Sequence, residues 1–239
     1  MPGPDLSRRS TAPELMDTEP VDLPNLEACL RDLERINRWT RSYALTLGWL
    51  DRVVAQHGPQ RLLLVDVGSG YGDMLRRIAA WGQRRAIRLD LVGVDRNPNA
   101  ALAAARATPT EAPIRYLTAD VSDLPDEPRP DLVISALFAH HLDDGQLVCF
   151  LRWMESRARL GWLINDLHRH ALAYQVARRA PELLRMSRLV RHDAAISVAR
   201  AFGRRDWQLF LHQAELAEPP PTVTWHFPFR YAVSRIKPS

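Results

Sequence analysis

The sequence predicts an α/β fold: a doubly wound, mostly parallel seven-stranded sheet with helices on both faces. Three observations predict it. Short continuous apolar runs alternate with helical patterns between residues 62 and 165, as in a parallel sheet covered on both sides. The first run, Leu62–Val67, ends in an acid and a valine and leads into Gly68, Gly70 and Gly72, and a helical pattern (Met74, Leu75, Ile78, Ala79) starts at once. Two β-rich stretches near the carboxyl end, Thr222–Phe227 and Arg230–Ile236, read as a hairpin with Pro228 near its turn.

The elements follow in order. Residues 1–20 are rich in proline, serine, threonine and charge and carry no apolar period, so they read as a flexible arm. Residues 21–58 read as two helices. Leu26, Leu30, Leu33 and Ile36 recur at helical spacing, and Leu45, Leu47, Trp49, Leu50 and Val53 repeat the pattern within Tyr43–Val54 until Gly58-Pro59 stops it. Residues 59–239 form the main domain. After the first strand come a helix (Asp73–Trp81), a strand (Leu89–Asp95), an alanine-rich helix (Asn99–Ala107) and a short strand (Ile114–Leu117). A proline-rich turn, Pro125–Pro130, leads to strand Asp131–Ser135, helix Asp144–Arg157 and strand Gly161–Asn165. The alternation then breaks. Residues 167–203 show only helical patterns, Leu172–Ala180 and Pro181–Val190, and read as a helical lid inserted into the domain. A further helix, Asp206–Ala217, precedes Pro219-Pro220-Pro221 and the hairpin.

Composition narrows the class. The chain has 239 residues, 46% of them hydrophobic, enough for a sizeable core. No apolar run reaches the roughly 20 residues a bilayer span needs, and the amino end lacks a signal-type segment, so a soluble cytoplasmic protein is expected. Cys29 and Cys149 have neither CxxC nor zinc spacing and read as reduced thiols. The net charge is +4 and Lys237 is the only lysine, so the basic charge is arginine. GC-rich codon usage explains that excess more simply than a polyanionic partner. The arginines are scattered and do not alternate with aromatics, so nucleic acid is an unlikely partner.

The glycine turn carries the chemistry. Glycines at alternate positions let a ligand come close to backbone N–H groups, which suits a small molecule bearing a ribose or a carboxylate. Nicotinamide binders need a third glycine where this chain has Asp73. The spacing acid-x-Gly-x-Gly-x-Gly, Asp66 to Gly72, instead resembles class I methyltransferases that use S-adenosylmethionine. Leu91–Asp95, Thr118–Val121 and Asp131–Phe138 fit the same family in order and interval. The resemblance is close over residues 60–166 and looser over the terminal hairpin. It implies a Rossmann-like methyltransferase fold, S-adenosylmethionine as cofactor and S-adenosylhomocysteine as product.

The same resemblance assigns the cofactor residues. Asp66, Gly68, Ser69, Gly70 and Gly72 would form the loop that meets the methionine end. Asp95, with Arg96 beside it, would hold the ribose hydroxyls. Asp120 and Val121 would meet the adenine, and Ala136, Leu137 and Phe138 would pass beside the cofactor. Read locally, Asp95 also suits a helix N-cap and Asp120 a turn.

Methyl transfer to a hydroxyl needs alignment, exclusion of water and removal of a proton. The strand-four segment, Ser135-Ala136-Leu137-Phe138-Ala139-His140-His141, lacks the Asn-Pro-Pro-Tyr pattern of enzymes that methylate the adenine amine. Leu137 stands where magnesium-dependent catechol enzymes have an acid, and their Asp-Asn pair is reversed as Asn165-Asp166, so no metal is expected. His140 and His141 after the fourth strand, and His168 and His170 after the fifth, lie where open α/β sheets bind ligands. His140, His141 and Asp166 are the catalytic candidates; the competing roles are bracing the loop or lining the acceptor pocket for the histidines, and capping a helix or tying down the cap for Asp166. The His-His pair and the apolar, arginine-studded insertion resemble bacterial quinone and polyketide methyltransferases. That implies a hydrophobic aromatic acceptor and a surface suited to peripheral contact with anionic membrane. The sequence leaves acceptor, methylated atom and oligomeric state open, with an RNA methyltransferase or a non-catalytic cofactor-binding module as alternatives.

Overall fold

A computed structural model of the chain describes residues 5–216 and 218–238. Seven strands form one sheet: β1 (Arg61–Val67), β2 (Arg88–Asp95), β3 (Ile114–Thr118), β4 (Leu132–Ala136), β5 (Gly161–Leu167), β6 (Thr222–His226) and β7 (Arg230–Ile236). The order is β3-β2-β1-β4-β5-β7-β6. The first five strands are parallel, and β7 runs antiparallel between β5 and β6. The strand order reverses between β1 and β4, so a crevice opens at their carboxyl ends, the usual ligand position in open α/β sheets.

Three of the crossovers carry an α-helix, α4 (Asp73–Arg84), α5 (Pro98–Ala107) and α6 (Asp144–Arg157), and the β3-to-β4 connection carries only the 3₁₀ turn Val121–Asp123. Before the sheet come α1 (Leu15–Thr18), α2 (Leu23–Trp39) and α3 (Ser42–His57). After β5 come α7 (Ala171–Leu183), α8 (Arg188–Arg200) and α9 (Arg204–Ala214). The central strands separate two cores because successive side chains leave a strand on opposite faces. Leu62, Leu64, Leu132 and Leu163 pack toward α3 and α4 with Trp49 and Trp81. Val65, Val133, Trp162 and Ile164 pack toward α6 and α9 with Phe202 and Trp207. None of these side chains is more than 8% exposed.

The helix starts follow local chemistry. Asp22 and Asn97 cap α2 and α5, each with a proline in the first turn, and Asp143 forms a capping box with Gln146 at α6.

Two expectations differ from the structure. The inserted helices were expected to divide at Pro181, but α7 runs through Pro181 to Leu183. Beyond its cap the chain turns at Arg185, whose φ is 49°. The Arg185 N–H donates to Glu182 O and the Met186 N–H to Pro181 O, a Schellman closure. Met186 then enters a cluster with Cys29, Leu189 and Val190, which ties α8 to α2.

The second concerns the amino end. The stretch expected as a flexible arm lies against the fold from residue 5 onward. Ser10 N donates to Ala199 O, and the Arg9 guanidinium reaches Arg200 O, His140 O and Leu142 O. Asp193 on α8 accepts from the N–H groups of Leu15 (2.8 Å) and Met16 (3.2 Å), the orphan donors at the start of α1. An aspartate far along the chain caps this helix, so no local signal announces it. Both cysteines are free thiols, Cys29 buried and Cys149 exposed. Among the described residues no helix is long and apolar enough to cross a membrane.

Candidate active site

The glycine loop joins β1 to α4 at the open end of the crevice. Gly68, Gly70 and Gly72 have φ of 70°, 49° and 68°, a region that costs other residues. Two of them also make room for aromatics. A Cβ on Gly68 would lie 2.6 Å from the Phe138 ring, and one on Gly72 would lie 2.0 Å from the Tyr116 hydroxyl. At Gly70 a Cβ would meet only Leu30, at 3.7 Å, so that glycine serves the turn alone.

The loop amides differ from expectation. The N–H groups near Ser69 were read as bare donors for a ligand. Those of Gly68 and Ser69 both donate to Val94 O (2.9 and 3.1 Å), that of Gly70 to Asp95 Oδ2 (3.0 Å), and that of Gly72 to Ser69 O (2.8 Å). The loop is thus stitched to the end of β2. What it offers a ligand is close approach along a surface without side chains.

The acids supply the polarity. Asp66 is 3% exposed, and its Oδ1 has no hydrogen-bond partner. Burial, with Asp73 and Asp95 nearby, pushes its carboxyl well above the usual range. Asp95 accepts from Gly70 N and Asn97 N (2.9 Å), and burial raises it against those bonds. Arg96 and Asp120, from the ends of β2 and β3, form an ion pair at 3.4 Å. Asp120 also accepts from the Ser122 N–H and hydroxyl, which keep its carboxyl low, so it caps the 3₁₀ turn Val121–Asp123. Val121 is half-buried against the core. After β4, Ala136 leads to Leu137, whose φ is 56° and whose N–H donates to Asn165 O.

A ligand with an ammonium group and a sugar fits this arrangement. Asp66 presents a buried, unpartnered oxygen to a cation, and Asp95 keeps lone pairs for hydroxyls. Asp66, Gly68, Ser69, Gly70, Gly72 and Asp95 meet at one loop, and Phe138, expected beside the cofactor, packs against Gly68 as a wall.

Beside the loop lies a second group. Asn165 and Asp166 are consecutive in β5 and face opposite sides of the sheet. Asn165 turns to α3 and donates to Ser42 O (3.1 Å). Asp166, fully buried, turns the other way. Its Oδ1 meets His140 Nδ1 at 2.7 Å and accepts from Leu167 N, and its Oδ2 accepts from His140 N (2.9 Å). Burial opposes ionisation there, but the His140 ring and these N–H donors outweigh it and hold the carboxyl low. An ionised Asp166 only accepts, so His140 Nδ1 carries the proton and Nε2 presents its lone pair when the ring is neutral.

His141 repeats the arrangement. Its Nδ1 meets Asp17 Oδ2 at 2.9 Å. Both Nε2 atoms face Glu14, at 3.8 Å for His140 and 3.9 Å for His141. Glu14 is 2% exposed, its Oε1 has no hydrogen-bond partner, and burial pushes its carboxyl up to about 7. Arg200 donates to His140 O (3.1 Å) and His141 O (2.9 Å), and Arg9 donates to His140 O. Of the three catalytic candidates, Asp166 and His140 form a pair, and His141 stands beside them with its ring centroid 4.4 Å from that of His140.

Sequence reading missed Glu14, Asp17 and Arg9 because their segment has no apolar period. Arg200 lies within the insertion 167–203, which already resembled quinone and polyketide methyltransferases. His168 and His170 belong elsewhere. His168 Nδ1 accepts from Trp225 Nε1 (3.2 Å), and His170 stacks on Phe229 and accepts from Leu172 N at the start of α7.

With this geometry in place, comparison with known proteins is decisive for the domain. Residues 64–161 match the methyltransferase domain family. That stretch carries the likeness to a methyltransferase domain. A search of curated proteins gave no match. Among solved structures, the plantazolicin methyltransferase BpumL, in complex with a triazolic desmethylPZN analog and SAH, aligns at TM-score 0.68 and 11% identity. The alignment covers 91% of this chain and 98% of that one. Magnesium protoporphyrin IX methyltransferase from Synechocystis PCC 6803, with bound SAH, aligns at 0.56 and 15% identity over 83% and 82%. Human N-acetylserotonin methyltransferase, with SAM, aligns at 0.61 and 15% identity over 91% and 57%. The chain therefore shares the class I methyltransferase fold, with its seven-stranded sheet.

Proposed function

We propose that the protein transfers a methyl group from S-adenosylmethionine to a hydroxyl of a small hydrophobic aromatic acceptor, a phenol, quinol or polyketide. One observation carries the acceptor side of this reading. A buried carboxylate, Asp166, holds a buried imidazole, His140, at the carboxyl ends of β4 and β5, next to His141 and Glu14.

The donor supplies an electrophilic methyl on a sulfonium. The residues do the rest. Asp66 and Asp95 face the positive charge and the sugar, and the glycines admit the ligand to the backbone. Phe138 packs on Gly68 and closes the side toward the acceptor. The histidine cluster is the place where the acceptor hydroxyl loses its proton. Arg9 and Arg200 hold the 3₁₀ turn Ala139–His141 by its carbonyls and so fix where the rings stand. The three neighbours are named for three unlike acceptors, so the shared fold does not choose among substrate classes.

Two measurements on the full chain test the reading. Calorimetry should show saturable binding of S-adenosylhomocysteine. With a panel of phenols and quinols, His140→Gln should keep that binding and lose turnover by about 10²–10⁴-fold, the usual contribution of a positioned proton acceptor. Absence of product binding, or full turnover by the variant, would overturn it.

A further inference from the structure

We infer that Glu14, His140 and His141 form a binding site for one divalent transition-metal ion of the zinc type. The inference deepens the proposed function, because the site stands where the acceptor would lose its proton, and it rests on that reading for its role.

The argument starts from the lone pairs. One oxygen or nitrogen from each of the three side chains lies within 4.8 Å of the other two. Asp166 and Asp17 fix the protons of both imidazoles on Nδ1, so both Nε2 atoms turn lone pairs toward Glu14. The third member is a carboxylate whose Oε1 is buried and has no donor. Three ligand atoms thus face one space; the Ser197 hydroxyl also reaches the Glu14 carboxyl, but Glu14 Oε1 keeps no hydrogen-bond partner. A cation satisfies all three at once.

The outer groups fit as well. A metal-bound histidine typically gives its other ring N–H to a carboxylate, which orients the ring and raises its basicity. Here each histidine has its own carboxylate, Asp166 at 2.7 Å and Asp17 at 2.9 Å. Two imidazoles and one carboxylate are a known zinc ligand set that leaves a fourth position open. Imidazole nitrogen selects zinc and its first-row neighbours over magnesium, whose preferred ligands are oxygen. The present separations exceed those of a closed shell, so each ligand atom moves inward by a few tenths of an ångström to reach about 2.0–2.2 Å from a metal.

The site escaped sequence reading because the motif considered was the magnesium pattern of Leu137 and Asn165-Asp166. The third ligand comes instead from the opposite end of the chain. An acceptor hydroxyl in the open position would be ligated directly and would release its proton to water; His140 would then act as a ligand in place of its role as proton acceptor.

The test uses the full chain without a histidine tag, stripped by a chelator and titrated with cobalt(II) alone while its visible d–d absorption is followed. One equivalent should bind, and zinc(II) should displace it. Glu14→Gln and His141→Ala should abolish the intense low-coordination spectrum. Asp17→Asn, which touches the site only through His141 Nδ1, should weaken binding by about 10–100-fold. Calorimetry with S-adenosylhomocysteine on the same samples reports whether each variant is folded and whether the donor reading holds. Product binding with no saturable cobalt site overturns the metal inference and leaves the methyltransferase reading intact. Cobalt binding without product binding does the reverse. An unchanged spectrum in Glu14→Gln and His141→Ala also overturns the inference.

Discussion

At the residue scale, Asp66 has the most to reveal. It is buried, partnerless at Oδ1, and its carboxyl sits well above the ordinary carboxylate range because burial disfavours its charge. An unfolded aspartate titrates near 3.9. Between that value and its folded one, the folded chain keeps a proton the unfolded chain has released. This group's contribution to stability therefore falls as pH rises through that window, and levels off above it. A ligand bringing an ammonium group reverses the preference and expels the proton. Binding of S-adenosylhomocysteine at pH values inside the window should release protons, seen as calorimetric enthalpies that differ between buffers of unlike ionisation enthalpy. Asp66→Asn should shrink that difference, and identical enthalpies for the natural protein in all buffers would refute the assignment. Asp66 and Asp95 were legible in the sequence because Asp66 leads into the glycine turn and Asp95 ends the second strand. Glu14 was not, because nothing near it in the chain gives an isolated glutamate a purpose.

At the scale of elements, the strands and the crossover helices could be read to within a few residues, since burial on both faces leaves continuous apolar runs. The lid insertion was legible as helix but not in its division. A Schellman closure at Arg185 depends on a left-handed residue that is not glycine, which carries no compositional mark. The shortest helix, α1, was invisible for a related reason: its cap is Asp193, supplied from α8. Asp193→Ala removes the acceptor for two helix-start donors. It should lower stability by about 0.5–2 kcal/mol, as lost caps do. Amide exchange at Leu15 and Met16 should quicken while the strands keep their protection. Unchanged exchange at those two amides would show that Asp193 does not hold the helix.

At the scale of the whole molecule, the fold and the cofactor side of the site were written locally, whereas the acceptor side is assembled from distant pieces. The 3₁₀ turn after β4, the end of β5, α8 and the amino-terminal stretch each contribute side chains to one spot. Arginine performs much of that assembly. Arg9 and Arg200 cap backbone carbonyls that the short turn cannot satisfy itself, a use of a forked planar donor that lysine could not match. The arginine excess of the sequence, read there as codon usage, thus includes members with structural duties.

The way residues 5–20 lie across Glu14's neighbours has a practical side. Arg8 and Arg9 are natural cutting points for trypsin, yet the Arg9 side chain is pinned to three carbonyls. Clipping there requires the strap to lift. Its rate under dilute protease becomes a clock for how often the strap lifts, and an occupant held by Glu14 should slow it. If digestion at Arg9 proceeds equally fast with and without bound occupant, the strap is not a gate.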